Sequence, residues 1–227
     1  MVAFPAGYVA GSADAGAAVV VIHDWFGLLP HVRALCDALA RESFLAVAPD
    51  LYDGRTTTAT AEAEALLSAL DEPAALEQVR SAVATAARGE PSRAVGVVAF
   101  SAGAYFAFAA LGDVVRAAVT YYGTGALDEA DRIRCPVLGH FADRDEWPES
   151  EHARGYVGEY FDRIRAAGVE ATYHVYRGTE HSFANADVDA YSPFAAETAW
   201  QRTLAFLRES LSDTCAGRSD DSAIDER

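Results

Sequence analysis

The chain has 227 residues, 51% of them hydrophobic, and a formal net charge of -16 in which all 18 basic residues are arginine. That length is ordinary for one domain with a single large core. The absence of lysine excludes Schiff-base chemistry and a Walker lysine, and the acidity disfavours nucleic acid and anionic membrane as partners, since both are bound through Lys and Arg contacts to phosphates.

From the N-terminus, the first signal is the apolar run Gly16 to Ile22, which ends at His23. It is far shorter than the roughly 18 residues of a membrane helix. The first basic residue is Arg33, so the start lacks the positive region of a secretory signal, and a cytoplasmic location is expected. Ala18 to His23 and Phe44 to Ala48 read as strands buried on both faces, with Val32 to Arg41 between them at helical spacing. The stretch Thr57 to Arg88, rich in Ala, Glu and Leu and punctuated by Pro73, predicts two helices. Strands follow at Val95 to Phe100 and Val114 to Tyr121, separated by a small-residue helix at Ala102 to Leu111. The alternation continues as strand Pro136 to Ala142, helix Glu149 to Ala167, strand Ala171 to Tyr176 and helix Phe194 to Leu211.

Such an alternation predicts an α/β fold, a mostly parallel central sheet with helices on both faces and a binding crevice at the strand C-termini. Only Gly123 to Arg134 separates two of the strands, too short a stretch for a separate lid domain. Residues 1–211 are assigned to one domain. The polar, Asp-rich and aperiodic segment 212–227 has the composition of a disordered tail.

Ala99-Phe100-Ser101-Ala102-Gly103 lies between a strand and a helix, the context of a nucleophile elbow. A serine hydroxyl needs an imidazole to take its proton. His181, in the loop Gly178 to Phe183 after a later strand, is placed where the order Ser, Asp, His expects it. The orienting acid should lie on the intervening loop, where Asp145 is preferred and Asp143 is the second choice. An oxyanion hole needs two backbone N–H donors. Ala102 supplies one, and Trp25 in His23 to Gly27 is the natural source of the other.

The cysteines, Cys36, Cys135 and Cys215, form no CxxC pair, and the six histidines form no HExxH or HxH pair. Neither a disulfide framework, a metal site nor a cofactor is expected.

Taken together, the segments VVVIHDWFGLLPHVR, VAPDLYDG, VVAFSAGAYFA, YYG, GHFADRD and GTEHSFAN resemble the dienelactone hydrolase family of α/β-hydrolases, over roughly Ala17 to Leu211. The resemblance implies Ser101 as nucleophile, Asp145 as acid, His181 as base, and Trp25 and Ala102 as oxyanion donors. It also carries departures. Members of the dienelactone type have cysteine where this chain has Ser101, and a thiol-activating glutamate where it has Asp24. The arginine that grips a substrate carboxylate falls on Asn185, and the family's second carboxylate-binding arginine is missing. Pro148 comes one residue early relative to the acid.

The expected function is hydrolysis of a carboxylic ester or lactone through an acyl-enzyme. Acyl transfer or lactone closure at the same site, and a non-catalytic binding protein on the same fold, are the alternatives. The substrate is expected to be an uncharged small molecule, with Trp25, Phe26, Trp147 and Phe183 as an apolar wall and Asp24 and Asn185 beside it. Arg144 and Arg177 are the two cations near the catalytic loops. The sequence does not specify an oligomeric state.

Overall fold

The computed structural model describes residues 6–88, 93–145 and 150–212. Seven strands, β1 (Gly7–Ala10), β2 (Ala17–Ile22), β3 (Leu45–Pro49), β4 (Ala94–Phe100), β5 (Val115–Tyr121), β6 (Val137–Ala142) and β7 (Ala171–Tyr176), form one sheet in the order β1-β3-β2-β4-β5-β6-β7. All neighbours are parallel except β1, which runs antiparallel to β3. This is the expected single-domain α/β-hydrolase fold.

Strand period decides the two cores. Ala18, Val20 and Ile22 of β2 face one side with helices α3 (Glu72–Ala86), α4 (Ala102–Ala109) and α5 (Ser150–Ala166), whereas Val19 and Val21 face α1 (Pro30–Arg41) and α6 (Pro193–Leu211). Because both faces are covered, the strand reads as an unbroken apolar run. The Thr57 to Arg88 stretch divides as expected, into α2 (Thr60–Ser68) and α3, with Asp71 capping the second through the N–H of Ala74 at 3.0 Å. Leu127–Arg132 forms a 3-10 turn between β5 and β6, and the described residues include no separate lid domain. No described helix is long and apolar enough to cross a membrane.

Strand β1 was not expected. Its four residues alternate between exposed and half-buried and carry no hydrophobic run, so its place is set by backbone pairing to β3. Beyond Ser212, the tail expected at 212–227 lies outside the described residues.

One buried polar cluster joins three strands to a helix. His140 on β6 has Nδ1 at 2.9 Å from the Tyr176 hydroxyl and Nε2 at 3.0 Å from the Thr203 hydroxyl, which also bonds the Tyr121 hydroxyl at 2.8 Å. Arg202 donates to the Tyr176 hydroxyl at 3.0 Å from the protein's edge.

The paired strand ends bring the functional loops together. Ile22 pairs with Ala99, Phe100 with Tyr121, Tyr121 with His140, and Ala142 with Tyr176. The chain turns outward to β3 after β2 and returns to β4 on the other side, so the switch point of the sheet falls between β2 and β4.

Candidate active site

Ser101 stands at that switch point, between the end of β4 and the start of α4, with φ 48° and ψ -122°. An L-residue held there stores strain on the order of 1–3 kcal/mol, which persists only if the surroundings enforce it. Three contacts do so. The Ser101 N–H donates to the carbonyl of Tyr121 at 2.9 Å. A Cβ on Gly103 would lie 2.2 Å from the His23 carbonyl oxygen, and one on Gly123 would lie 2.4 Å from that of Ser101. Glycine is therefore required at both places for strand and helix to meet so closely.

The serine Oγ lies 2.7 Å from His181 Nε2, and His181 Nδ1 lies 2.9 and 2.8 Å from the two oxygens of Asp145. The carboxylate fixes the tautomer: Nδ1 carries the proton and Nε2 is free to accept one from the serine. Ser101, His181 and Asp145 form a catalytic triad. Asp143 has a different task, since its Oδ1 accepts the Gly178 N–H at 2.7 Å, while the Arg144 N–H donates to the Thr179 carbonyl at 3.0 Å. The acid loop is thereby pinned to the base loop. With side-chain exposures of 19% for His181 and 13% for Asp145, water reaches the dyad.

Tyr122 was not singled out from the sequence. It directly follows β5 at φ 42°, and its ring centre is 5.0 Å from that of His181, against which it packs. The signal was the aromatic pair before Gly123 at a strand end. Ser182, just after the base, also has positive φ, at 64°.

The segment following β2 forms the opposite wall. His23 is buried, with Nδ1 2.6 Å from the Asp24 carbonyl, and its Nε2 accepts the Leu51 N–H at 3.1 Å. Nδ1 therefore carries the ring proton, and burial pushes the pKa down, keeping the ring neutral. Asp24 Oδ1 accepts the Phe26 N–H at 2.9 Å and Oδ2 accepts from Asn185 Nδ2 at 3.1 Å. Burial raises the Asp24 carboxyl to about 6 against the opposing effect of these donors. Trp25 is half-buried, edge-on to Phe26 at 5.5 Å, and forms a small apolar cluster with Phe26, Leu29, Ala63 and Val188. Ala102 is the first residue of α4, where helix N–H groups have no partner within the helix.

The residues expected at the substrate wall differ in burial. Phe183 is fully buried among Tyr121, Tyr122 and Tyr176. Asn185 at 0% and Asp24 at 1% exposure are likewise turned inward onto each other. Phe26 is also largely buried, leaving Trp25 as the half-exposed ring at this wall. Trp147 and Pro148 lie outside the described residues. Arg144 and Arg177 are exposed. Cys36 and Cys135 are buried, and burial pushes their thiols up to about 12 and about 11, so neither competes with Ser101 as a nucleophile.

A family model described as "Dienelactone hydrolase family" matches residues 6–211. Over 223 residues the chain is 34% identical to a protein of Azospirillum brasilense named "Putative carboxymethylenebutenolidase", covering 90% of this chain and 93% of that one. It is 30% identical over 220 residues to "Protein usf" of Aquifex pyrophilus, again covering 90% and 93%. Among solved structures, one titled "Putative Dienelactone Hydrolase" from Klebsiella pneumoniae superposes with a TM-score of 0.75 at 25% identity, covering 88% of this chain and 89% of that one.

Proposed function

The chain belongs to the dienelactone hydrolase family, and on that premise we propose that it hydrolyses uncharged carboxylic esters or lactones, with the backbone N–H groups of Trp25 and Ala102 as its oxyanion hole. Ser101 Oγ attacks the carbonyl carbon as His181 Nε2 takes its proton. The two N–H groups stabilise the negative charge that develops on the carbonyl oxygen. Collapse of the tetrahedral intermediate expels the alcohol oxygen, which His181 protonates. A water deprotonated by the same nitrogen then releases the acid and restores the serine. Water access to the His181–Asp145 pair favours hydrolysis over transfer to a second alcohol.

The preference for a neutral substrate rests on Asn185. Where the family resemblance places a carboxylate-gripping arginine, this chain has a buried amide committed to Asp24. A substrate carboxylate brought into such a site without a cationic partner costs several kcal/mol in lost hydration. The deciding experiment compares kcat/KM for a matched pair, a free-acid lactone and its methyl ester. The ester is expected to be at least tenfold better. A tenfold preference for the free acid, about 1.4 kcal/mol in transition-state binding, would overturn the reading and direct attention to the exposed Arg144 and Arg177.

A further inference from the structure

We propose that Asp24 and Asn185 are positioning residues that latch the oxyanion loop to the turn carrying His181, so that the donor at Trp25 and the base are held at a fixed spacing. The inference rests on the hydrolase reading above for its kinetic consequence, though not for the latch itself.

The two segments meet only through tertiary structure. Asp24 directly precedes Trp25, and Asn185 lies four residues after His181. Each atom of the latch has a defined partner. One Asp24 oxygen accepts the Phe26 N–H and so closes the loop on itself, while the other accepts the Asn185 amide at 3.1 Å. Asn185 Oδ1 accepts the Asp187 N–H at 2.9 Å, and the Asn185 N–H donates to the Ser182 carbonyl at 2.9 Å, which fixes the amide within its own turn. A second tie runs parallel to the first: Asp187 Oδ2 accepts both the backbone N–H of His31, at 2.7 Å, and its Nδ1–H, at 3.0 Å. The segment 24–31 is thus joined to 185–187 at two points. Its root is held separately, by His23 against Leu51 and by the Gly103 approach to the His23 carbonyl.

Burial separates positioning from contact with substrate, because neither Asp24 nor Asn185 has surface to offer. A buried carboxylate is also a costly way to accept two N–H donors. Its charge faces His181 and Asp187, with Tyr52 and Tyr122 also near enough to feel it. The carboxylate has two equivalent acceptor oxygens, so it can close its own loop and hold the neighbouring turn at once, which an amide at position 24 could not do against the amide of Asn185.

The test uses the full chain, p-nitrophenyl acetate as substrate, and the variants Asp24→Asn, Asn185→Ala and the exchange Asp24→Asn with Asn185→Asp. The exchange restores one N–H···O bond in the opposite sense and moves the charge to the other loop. Expected are a fall in kcat of tenfold or more in each single variant, a KM within threefold of wild type, and recovery of most of the lost kcat in the exchange. Hydrogen–deuterium exchange of the 25–27 amides should accelerate at least tenfold in Asn185→Ala. Wild-type kcat in both single variants, or a loss confined to KM, would overturn the latch. So would a folded exchange variant as slow as Asp24→Asn, since the charge at position 24 would then matter and not the bond. If the exchange variant does not fold, Asn185→Ala decides alone. If the wild type turns over no ester, the hydrolase reading fails, and unchanged 25–27 amide exchange in Asn185→Ala would still count against the latch by itself.

Discussion

Asp143 and Asp145, two residues apart on one loop, hold different partners: Asp145 grips the imidazole of His181 with both oxygens, and Asp143 receives the backbone N–H of Gly178. The first sets a proton's position and the second sets a loop's.

Their substitutions should therefore separate. Asp145→Asn is expected to lower kcat by about 10⁴-fold, since an amide there favours the wrong histidine tautomer. Asp143→Ala should lower kcat less than tenfold and cost about 1 kcal/mol of stability through the lost hydrogen bond. Steady-state kinetics with urea titration of both variants checks this, and a crippled Asp143→Ala beside an active Asp145→Asn would reverse the assignment.

The backbone at Ser101 makes a stability prediction of its own. Ser101→Gly and Ser101→Ala should both abolish acylation by a fluorophosphonate probe, but the glycine relieves the positive φ and the alanine does not. Ser101→Gly is expected to be the more stable of the two by about 1 kcal/mol. Equal midpoints in urea would mean that the elbow is not strained.

Gly103→Ala tests the close approach of strand and helix. Its new Cβ would meet backbone, the His23 carbonyl oxygen, so no side chain can swing aside. Destabilisation of about 1–3 kcal/mol or more is expected, together with a fall in kcat in the protein that still folds, because the same contact sets the root of the loop that carries Trp25. Thermal unfolding and ester turnover measured on one preparation would show both.

Stability should respond to acid in opposite directions at two buried groups. Burial lowers His140 to about 3, so between pH 6.5 and 3 the unfolded chain takes up a proton that the folded one refuses, and stability falls as pH falls. Burial raises Asp24 to about 6, so between pH 6 and 4 the folded chain takes up its proton first, and stability rises as pH falls. Each group contributes a slope of up to about 1.4 kcal/mol per pH unit within its window. Urea midpoints between pH 6 and 4 should fall less steeply in His140→Gln than in wild type, and more steeply in Asp24→Asn. Parallel curves for all three would remove both groups from the account.

The sequence showed most of what lies along a strand or just beyond its end. Continuous apolar runs marked β2, β3 and β4, because strands covered on both faces lack polar alternation, the strand–helix alternation carried the reading on to β7, and chain order pointed to Ser101 and His181. It left Asp145 and Asp143 open, since a shared loop does not say which carboxylate turns towards the imidazole. Phe183 and Asn185 were placed at the substrate because they follow His181, yet successive residues of a tight turn point in different directions and these two point inward. The link from Asn185 to Asp24 spans 161 positions, and that from Asp187 to His31 spans 156. No local pattern marks such pairs, and β1 escaped because four residues that alternate between exposed and half-buried bury too little to leave a hydrophobic run.

The Asp187–His31 contact also has a consequence for the order in which the molecule is completed. Helix α1 has no side-chain cap from its own N-cap residue, Leu29, and the carboxylate that receives the His31 N–H comes from beyond β7. An N-terminal cap of this kind is worth about 1 kcal/mol to a helix. During synthesis α1 emerges before the other described helices, yet its starting turn lacks this cap until residue 187 has been made and the base loop has docked. A chain truncated before residue 187 would keep every residue of α1 and still lack the group that finishes it, so α1, made before the other described helices, should be among the last of them to become fully protected from solvent exchange.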